Sequence, residues 1–497
     1  MKKLIIMLAV VILFAGCADT NINTAQYTPV IADIAAPPEP EQSDEDATQE
    51  LDEHLAQEFE RIPQNVTAVS AGPWHTLAVT ESGTLWSWGG MAHPWTPVII
   101  GDGTTEQRLT PVLIMEDVVS AAAGEYHSLA ITSDNTLWAW GQNFVGQLGD
   151  GTAEDRLSPV PIMDGVVYAA IAPTTANSSV MESQRNFAIT EDGTLWGWGQ
   201  NGGWDGTMGF LGDGTADGGW GSIEGHRPTP VRIMDDVISV VPTQAGGFAI
   251  TSGNTLWAWG SNWMGQLGDG TTEDRLAPVK IKENIAKTDG RFAITTDGVL
   301  WQIAAGVTLN DDGDGWDIAT EHIHIMDNAA FVHGNFAIDT DGRLWAWGEN
   351  RHLDDDDGWG GWNRSLAPPI GDGTMYPRPT PVVVMEDVVS FSSTADAGFA
   401  IGADGTLWGW GINRIGQLGD GTAEPRLAPV HILDNVVHVA SNYYMSHWNG
   451  WIDFVNTFAV TDCGALWAWG GGGMVEITIG DGTFENHLVP ILIIDSY

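Results

Sequence analysis

Carboxylates, two neighbouring histidines, a recurring arginine and an excess of tryptophan are the residues of this sequence that could do chemistry. Asp311-Asp312-Gly313-Asp314-Gly315 and Asp354-Asp355-Asp356-Asp357-Gly358 each gather oxygen ligands of the kind Ca2+ takes. Neither continues into a twelve-residue loop closed by a bidentate Glu, so both read as solvated acidic loops. His322 and His324 alternate beside Glu321, but no third ligand follows at metal spacing, which makes a weak zinc signal. No metal site and no cofactor is expected. Arg108, Arg156, Arg227, Arg275, Arg378 and Arg426, with His487, recur in step with Asp102, Asp150, Asp213, Asp269, Asp372, Asp420 and Asp481. One such pair per unit reads as a structural ion pair or turn cap rather than seven active sites. No Ser-His-Asp order, phosphate loop or zinc-protease helix appears, so no catalytic residue is assigned and the chain does not read as an enzyme.

The spacing of these residues reveals the elements that must position them. Leu-Trp recurs at Leu85, Leu137, Leu195, Leu256, Leu300, Leu344, Leu407 and Leu466, and all but the fifth copy carry a second Trp two residues on. Gly-Asp-Gly-Thr begins at Gly101, Gly149, Gly212, Gly268, Gly371, Gly419 and Gly480, and Pro-Val-x-Ile-Met-Asp or a near variant follows it. Each unit reads as four short strands, for example residues 118–121, 128–132, 136–140 and 159–163, with Asp-Asn, Asp-Gly or Ser-Gly at the middle hairpin. Units of four strands, each too small for its own core, predict an all-β fold: a β-propeller of four-stranded blades over residues 62–497. The eight units favour eight blades and leave seven open, since the fifth is degenerate.

In a meander of antiparallel strands, connections one and three of each unit emerge on one face, and connections two and four on the other. Connections two and four are short. Connections one and three expand at residues 172–185, 200–227, 349–378 and 441–455, so the insertions crowd onto one face, where binding residues usually sit. Of the 25 Trp, those outside the paired motif fall largely in these connections. The candidate binding residues are Trp74, Tyr126, Phe144, Trp204, Trp263, Trp359, Trp362, Tyr443, Tyr444, Trp448 and Trp451. Such rings amid Gly and Asp suit a protein or sugar partner. The competing reading folds the long loops over one another and buries the rings.

Residues 69–79 (Val-Ser-Ala-Gly-Pro-Trp-His-Thr-Leu-Ala-Val), residues 121–131, and Gly141-Gln142-Asn143-Phe144-Val145-Gly146-Gln147-Leu148-Gly149 with its copies at 260–268 and 411–419 resemble the hallmarks of the regulator of chromosome condensation family. The resemblance implies a propeller, usually of seven blades, and makes His75 and His127 packing and hydrogen-bonding residues. Members of that family include a nuclear exchange factor for a small GTPase, a plant ultraviolet receptor and secreted bacterial inhibitors of β-lactamase. The last share a secreted compartment and an aromatic loop face with this chain.

The 497 residues carry 19 Lys and Arg against 65 Asp and Glu, a formal charge of −46 that repels nucleic acid and anionic membranes alike. Two Cys exclude a disulfide scaffold. Lys2 and Lys3 precede an apolar run over residues 4–14 and then Ala15-Gly16-Cys17, the pattern of a secretory signal. It resembles a bacterial lipoprotein box, with Phe14 where Leu is usual, and implies lipid on Cys17. Residues 1–17 are thus the expected signal, and residues 18–61 an acidic, Pro-containing tether with a short amphipathic helix at its end. The expected protein is a monomer anchored at a bacterial cell envelope, facing away from the cytoplasm. Its aromatic loops would bind an unidentified protein partner; the alternatives are a surface glycan and, third, an enzyme acting on a cell-surface polymer.

Overall fold

Each Leu-Trp motif forms the third strand of a four-stranded antiparallel sheet, and eight such sheets make eight blades. The computed structural model describes residues 65–90, 99–173, 184–202, 209–216, 225–244, 246–304, 307–309, 316–318, 321–350, 369–394, 396–442, 444–446, 452–471 and 478–496. The signal, Cys17, the tether, both acidic runs, Trp204, Trp359, Trp362, Tyr443, Trp448 and Trp451 lie outside them. Blade 1 runs Val66–Ala71, His75–Thr80, Leu85–Gly89 and Arg108–Met115, in spatial order as in sequence. Blade 2 repeats it with Val118–Ala123, His127–Thr132, Leu137–Gly141 and Arg156–Met163. The degenerate unit is a full blade 5, from Ile285–Thr288, Phe292–Thr295, Leu300–Gln302 and Ile323–Met326, which settles the count at eight. Among the described residues no helix is long and apolar enough to cross a membrane.

The fourth strand begins earlier than the Pro-Val motif predicts, at the recurring Arg: Arg156 pairs with Gly141. Pro159 is tolerated inside it because this strand is the blade edge, where a missing N–H breaks no ladder. The first strands lie nearest the axis, where they reach one another. The Ala123 amide donates to Ser70 Oγ at 3.0 Å, and Lys287 Nζ to the Ala330 carbonyl at 2.7 Å.

The second motif Trp is the bolt between blades. Trp140 Nε1 donates to the Ile100 carbonyl of blade 1 at 2.9 Å, and Trp198 Nε1 to Gln147 of blade 2 at 3.0 Å. Trp259, Trp410 and Trp469 repeat the contact. Six of these rings are fully buried, and each contributes about 1.5–3 kcal/mol by burial alone. The ring closes the same way: Trp88 Nε1 donates to Ile479 of blade 8 at 3.0 Å, and the Val66 amide to the Gly464 carbonyl at 2.8 Å. Among the described residues no blade mixes strands from both chain ends.

Candidate functional site

Connection three is built to hold one side chain outward. In blade 4, Asn262 is buried, and its Nδ2 donates to Asp269 Oδ1 at 3.0 Å and to the Thr271 and Glu273 carbonyls at 3.0 and 3.1 Å. Its Oδ1 accepts the Leu267 amide at 2.9 Å. Arg275 Nε closes the knot on Asp269 Oδ2 at 2.6 Å. The same knot forms around Asn143, Asn201 and Asn413. The recurring Asp–Arg pairs therefore fasten the loop. Burial works against the charge of Asp269, but hydrogen bonds from Thr271 and Arg275 outweigh it and hold the carboxyl below its usual range.

The residue after the buried Asn is what the knot presents. Trp263 is 66% exposed and Met264 beside it is also exposed. Phe144, in the same slot of blade 2, is half-buried, and Arg414 is exposed in the same slot of blade 7. Tyr376 and Phe484 add exposed rings on the third connections of blades 6 and 8. Arg414, Tyr376 and Phe484 were not among the residues expected from sequence, although Arg414 follows Asn413 as Trp263 follows Asn262.

Trp74 and Tyr126 are buried, so they offer no free ring. The structure instead brings them together around Glu125, a buried carboxyl on the first connection of blade 2. Burial pushes Glu125 up to about 7, against the polar ends of Tyr126 and Trp74, which favour its ionised form. Sequence gave no sign of this acid beyond its place between Gly124 and Tyr126. Tyr444 lies on Tyr444–Ser446, a short strand that pairs antiparallel with residues 452–454.

Beneath these loops a polar chain ties consecutive blades. Asn442 Nδ2 of blade 8 donates to the Gly72 carbonyl at 2.8 Å, and His75 Nε2 meets Ser128 Oγ at 2.7 Å. His127 Nε2 meets Asn186 Oδ1 at 2.8 Å, and buried Arg185 donates to the Thr243 carbonyl at 2.8 Å and stacks 4.6 Å above the Phe210 ring. Burial, with His127 nearby, pushes His75 down to about 3; burial pushes His127 down to about 4, against its bonds to Asn186 and Gln184. Both imidazoles are neutral hydrogen-bonding struts. The equivalent positions of blades 4 to 7 are Gly246, Gly290, Gly334 and Ala397, so the polar chain is an arc and not a ring. His322 and His324 do not converge: His322 meets the Gly268 carbonyl at 3.0 Å and His324 meets Asp327 at 2.9 Å. Among the described residues no group of three metal-binding side chains gathers.

The Regulator of chromosome condensation (RCC1) repeat is matched over residues 66–93 and 118–147 in one form, and over residues 134–171, 254–292 and 404–446 in another. The chain is 29% identical over 230 residues to the ultraviolet-B receptor UVR8 of Arabidopsis thaliana, covering 45% of this chain and 47% of the receptor. It is 24% identical over 253 residues to protein pim1 of Schizosaccharomyces pombe, covering 50% and 46%. It thus spans about half the length of these relatives, and only 4% of the human E3 ubiquitin-protein ligase HERC2, to which it is 27% identical over 215 residues. Among solved structures, Prp20p from Saccharomyces cerevisiae is similar over 88% of this chain and 89% of its own, with 16% identity and a TM-score of 0.49. The chain is an eight-bladed β-propeller, similar over residues 66–93, 118–171, 254–292 and 404–446 to the regulator of chromosome condensation repeat.

Proposed function

We propose that this protein is a protein-interaction module whose partner docks on the face of connections one and three, with lipid on Cys17 holding it outside the cytoplasm at a bacterial cell envelope. One observation carries the reading: Trp263 is held 66% exposed on a loop whose base is locked by the Asn262 knot. A rigid, exposed Trp loses little freedom on binding, and Trp and Arg are the side chains that most often dominate interfaces. Arg414 in the matching slot of blade 7 supports the same face. The test is capture from the producing organism's envelope and medium by the full chain, against the double variant Trp263→Ala and Arg414→Ala. A protein retained by the first and lost by the second supports the reading. Equal retention overturns the face, and retention of glycan alone overturns the partner class. Anchoring is tested separately by metabolic incorporation of an alkyne fatty acid, which Cys17→Ser should abolish.

A further inference from the structure

The opposite face carries a feature that this reading leaves unused. Every first strand contains a β-bulge after its opening residue: Val118 pairs with Thr132 but Ser120 with Ile131, so Val119 is the extra residue. The same shift occurs in all eight blades. A bulge residue is left out of the ladder and its side chain is re-aimed. Because the first strands line the axis and begin at connection four, these residues encircle the axial mouth on the face of connections two and four. Val119, Val167, Ile238, Val389 and Val437 occupy five of the eight positions and are between 44% and 63% exposed. The residues just before them, Val118, Val166, Val237, Val388 and Val436, are buried, whereas these side chains are left in solvent. They form two apolar arcs of the collar, on blades 2 to 4 and on blades 7 and 8, with Thr67, Ala286 and Ala330 at the positions between, and exposed apolar groupings of this kind mark a surface that meets something.

The rim decides what. Each of the seven links between successive blades carries an exposed Asp or Glu, as Glu116-Asp117 and Glu386-Asp387 do. Every hairpin on this face carries one too, apart from residues 252–255, and Arg343 is the one Lys or Arg among these links and hairpins. The cations on neighbouring strands are already engaged: Arg343 with Asp339, Arg232 with Asp235, Lys280 with Glu283, Lys282 over Trp301, and Lys287 with the Ala330 carbonyl. His324 and His431 also face acids, Asp327 and Asp434. The chain's own residues 18–60 hold twelve acids and no Lys or Arg, so they are repelled from this rim, as is a second copy of the chain. We propose that this face is a second docking surface, for a cationic amphipathic polypeptide segment: apolar side chains seat on the collar while Lys or Arg pair with the acidic rim.

The probe is a labelled 14-residue peptide of Leu and Lys at helical spacing, titrated onto the full chain at low salt. Controls replace its Leu by Ser or its Lys by Glu. The Leu/Lys peptide should bind at least about tenfold more tightly than the Lys/Ser peptide, and the Leu/Glu peptide should not bind. The triple variant Val119→Ser, Ile238→Ser and Val389→Ser should weaken Leu/Lys binding about tenfold or more, whereas Trp263→Ala should leave it unchanged. The three sites are exposed, so circular dichroism and melting should match the parent; if they do not, Val389→Ser alone is used. Equal binding of the Leu/Lys and Lys/Ser peptides overturns the proposal in favour of charge attraction alone. Loss with Trp263→Ala, or no effect of the collar variants, overturns the placement.

Discussion

Glu125 and Gly149 show how single positions carry the design. The folded-state value of Glu125, about 7, lies above its ordinary 4.5, so the fold favours its protonated form. Its contribution is therefore full below pH 4.5 and is lost as the pH rises through 7. The gap corresponds to at most about 3 kcal/mol. Glu125→Gln should remove that decline: urea unfolding at pH 5 and pH 8 should show the variant gaining on the parent at the higher pH, and a pH-independent difference would refute the assignment. His75 and His127 act in the other direction. Their depressed values mean that stability present above about pH 6.5 is lost on acidification, so the variant-minus-parent comparison is needed to isolate the acid. At Gly149 and Gly151 the backbone has the same φ of 83°. A Cβ on Gly149 would sit 2.8 Å from Trp198 Nε1, whereas one on Gly151 meets Thr229 Cγ2 at 3.6 Å. Gly151→Ala should cost about 1–2 kcal/mol from its left-handed backbone, and Gly149→Ala about 1–3 kcal/mol more, from the clash with the bolt. Thermal melts of the pair check it.

At the scale of the element, the third connection is a self-contained device. Asn143→Ala would strip the donor that holds Asp150, Thr152 and Glu154 and the acceptor of the Leu148 amide. The expected cost is about 2–4 kcal/mol, with hydrogen exchange of the Leu148 amide accelerated while blades 5 to 7 keep their protection. How much of this was legible follows from what repeats. Strands, hairpins and the Asp–Arg fastening recur at fixed offsets, so sequence alone exposes them. The fifth blade survives without the second Trp because Ile303 fills the slot against Gly268. The exposed or buried fate of an aromatic was not legible even where the slot repeats, since Trp263 is exposed and Phe144 in the same slot is half-buried. Trp74 and Tyr126 sit beside a one-off acid, and a single Glu between Gly and Tyr carries no periodic signal. The bulge was invisible because it needs the register of two strands, which composition and spacing do not specify.

Across the whole molecule, the ring is sealed by one blade meeting another and not by a sheet shared between the chain ends. Asn65 accepts the Glu81 amide as Asp117 accepts that of Ser133, so Asp495 followed by Asn65 would reproduce the two-residue link found between other blades. A circular permutant that joins Asp495 to Asn65 and opens between Glu116 and Asp117 should fold and melt within a few degrees of the parent. One opened inside a blade, between its third and fourth strands, should melt lower, since that sheet would then be assembled from both ends. Sealing without a shared sheet also has a consequence in time. The indole of Trp88 and the carbonyl it needs are 391 residues apart. At roughly 5–20 residues per second, a ribosome takes about 20–80 s to deliver the second after the first. Throughout that interval the leading blade exists with one apolar flank uncovered, so the stage most exposed to aggregation is the wait of the first-made blade for the last.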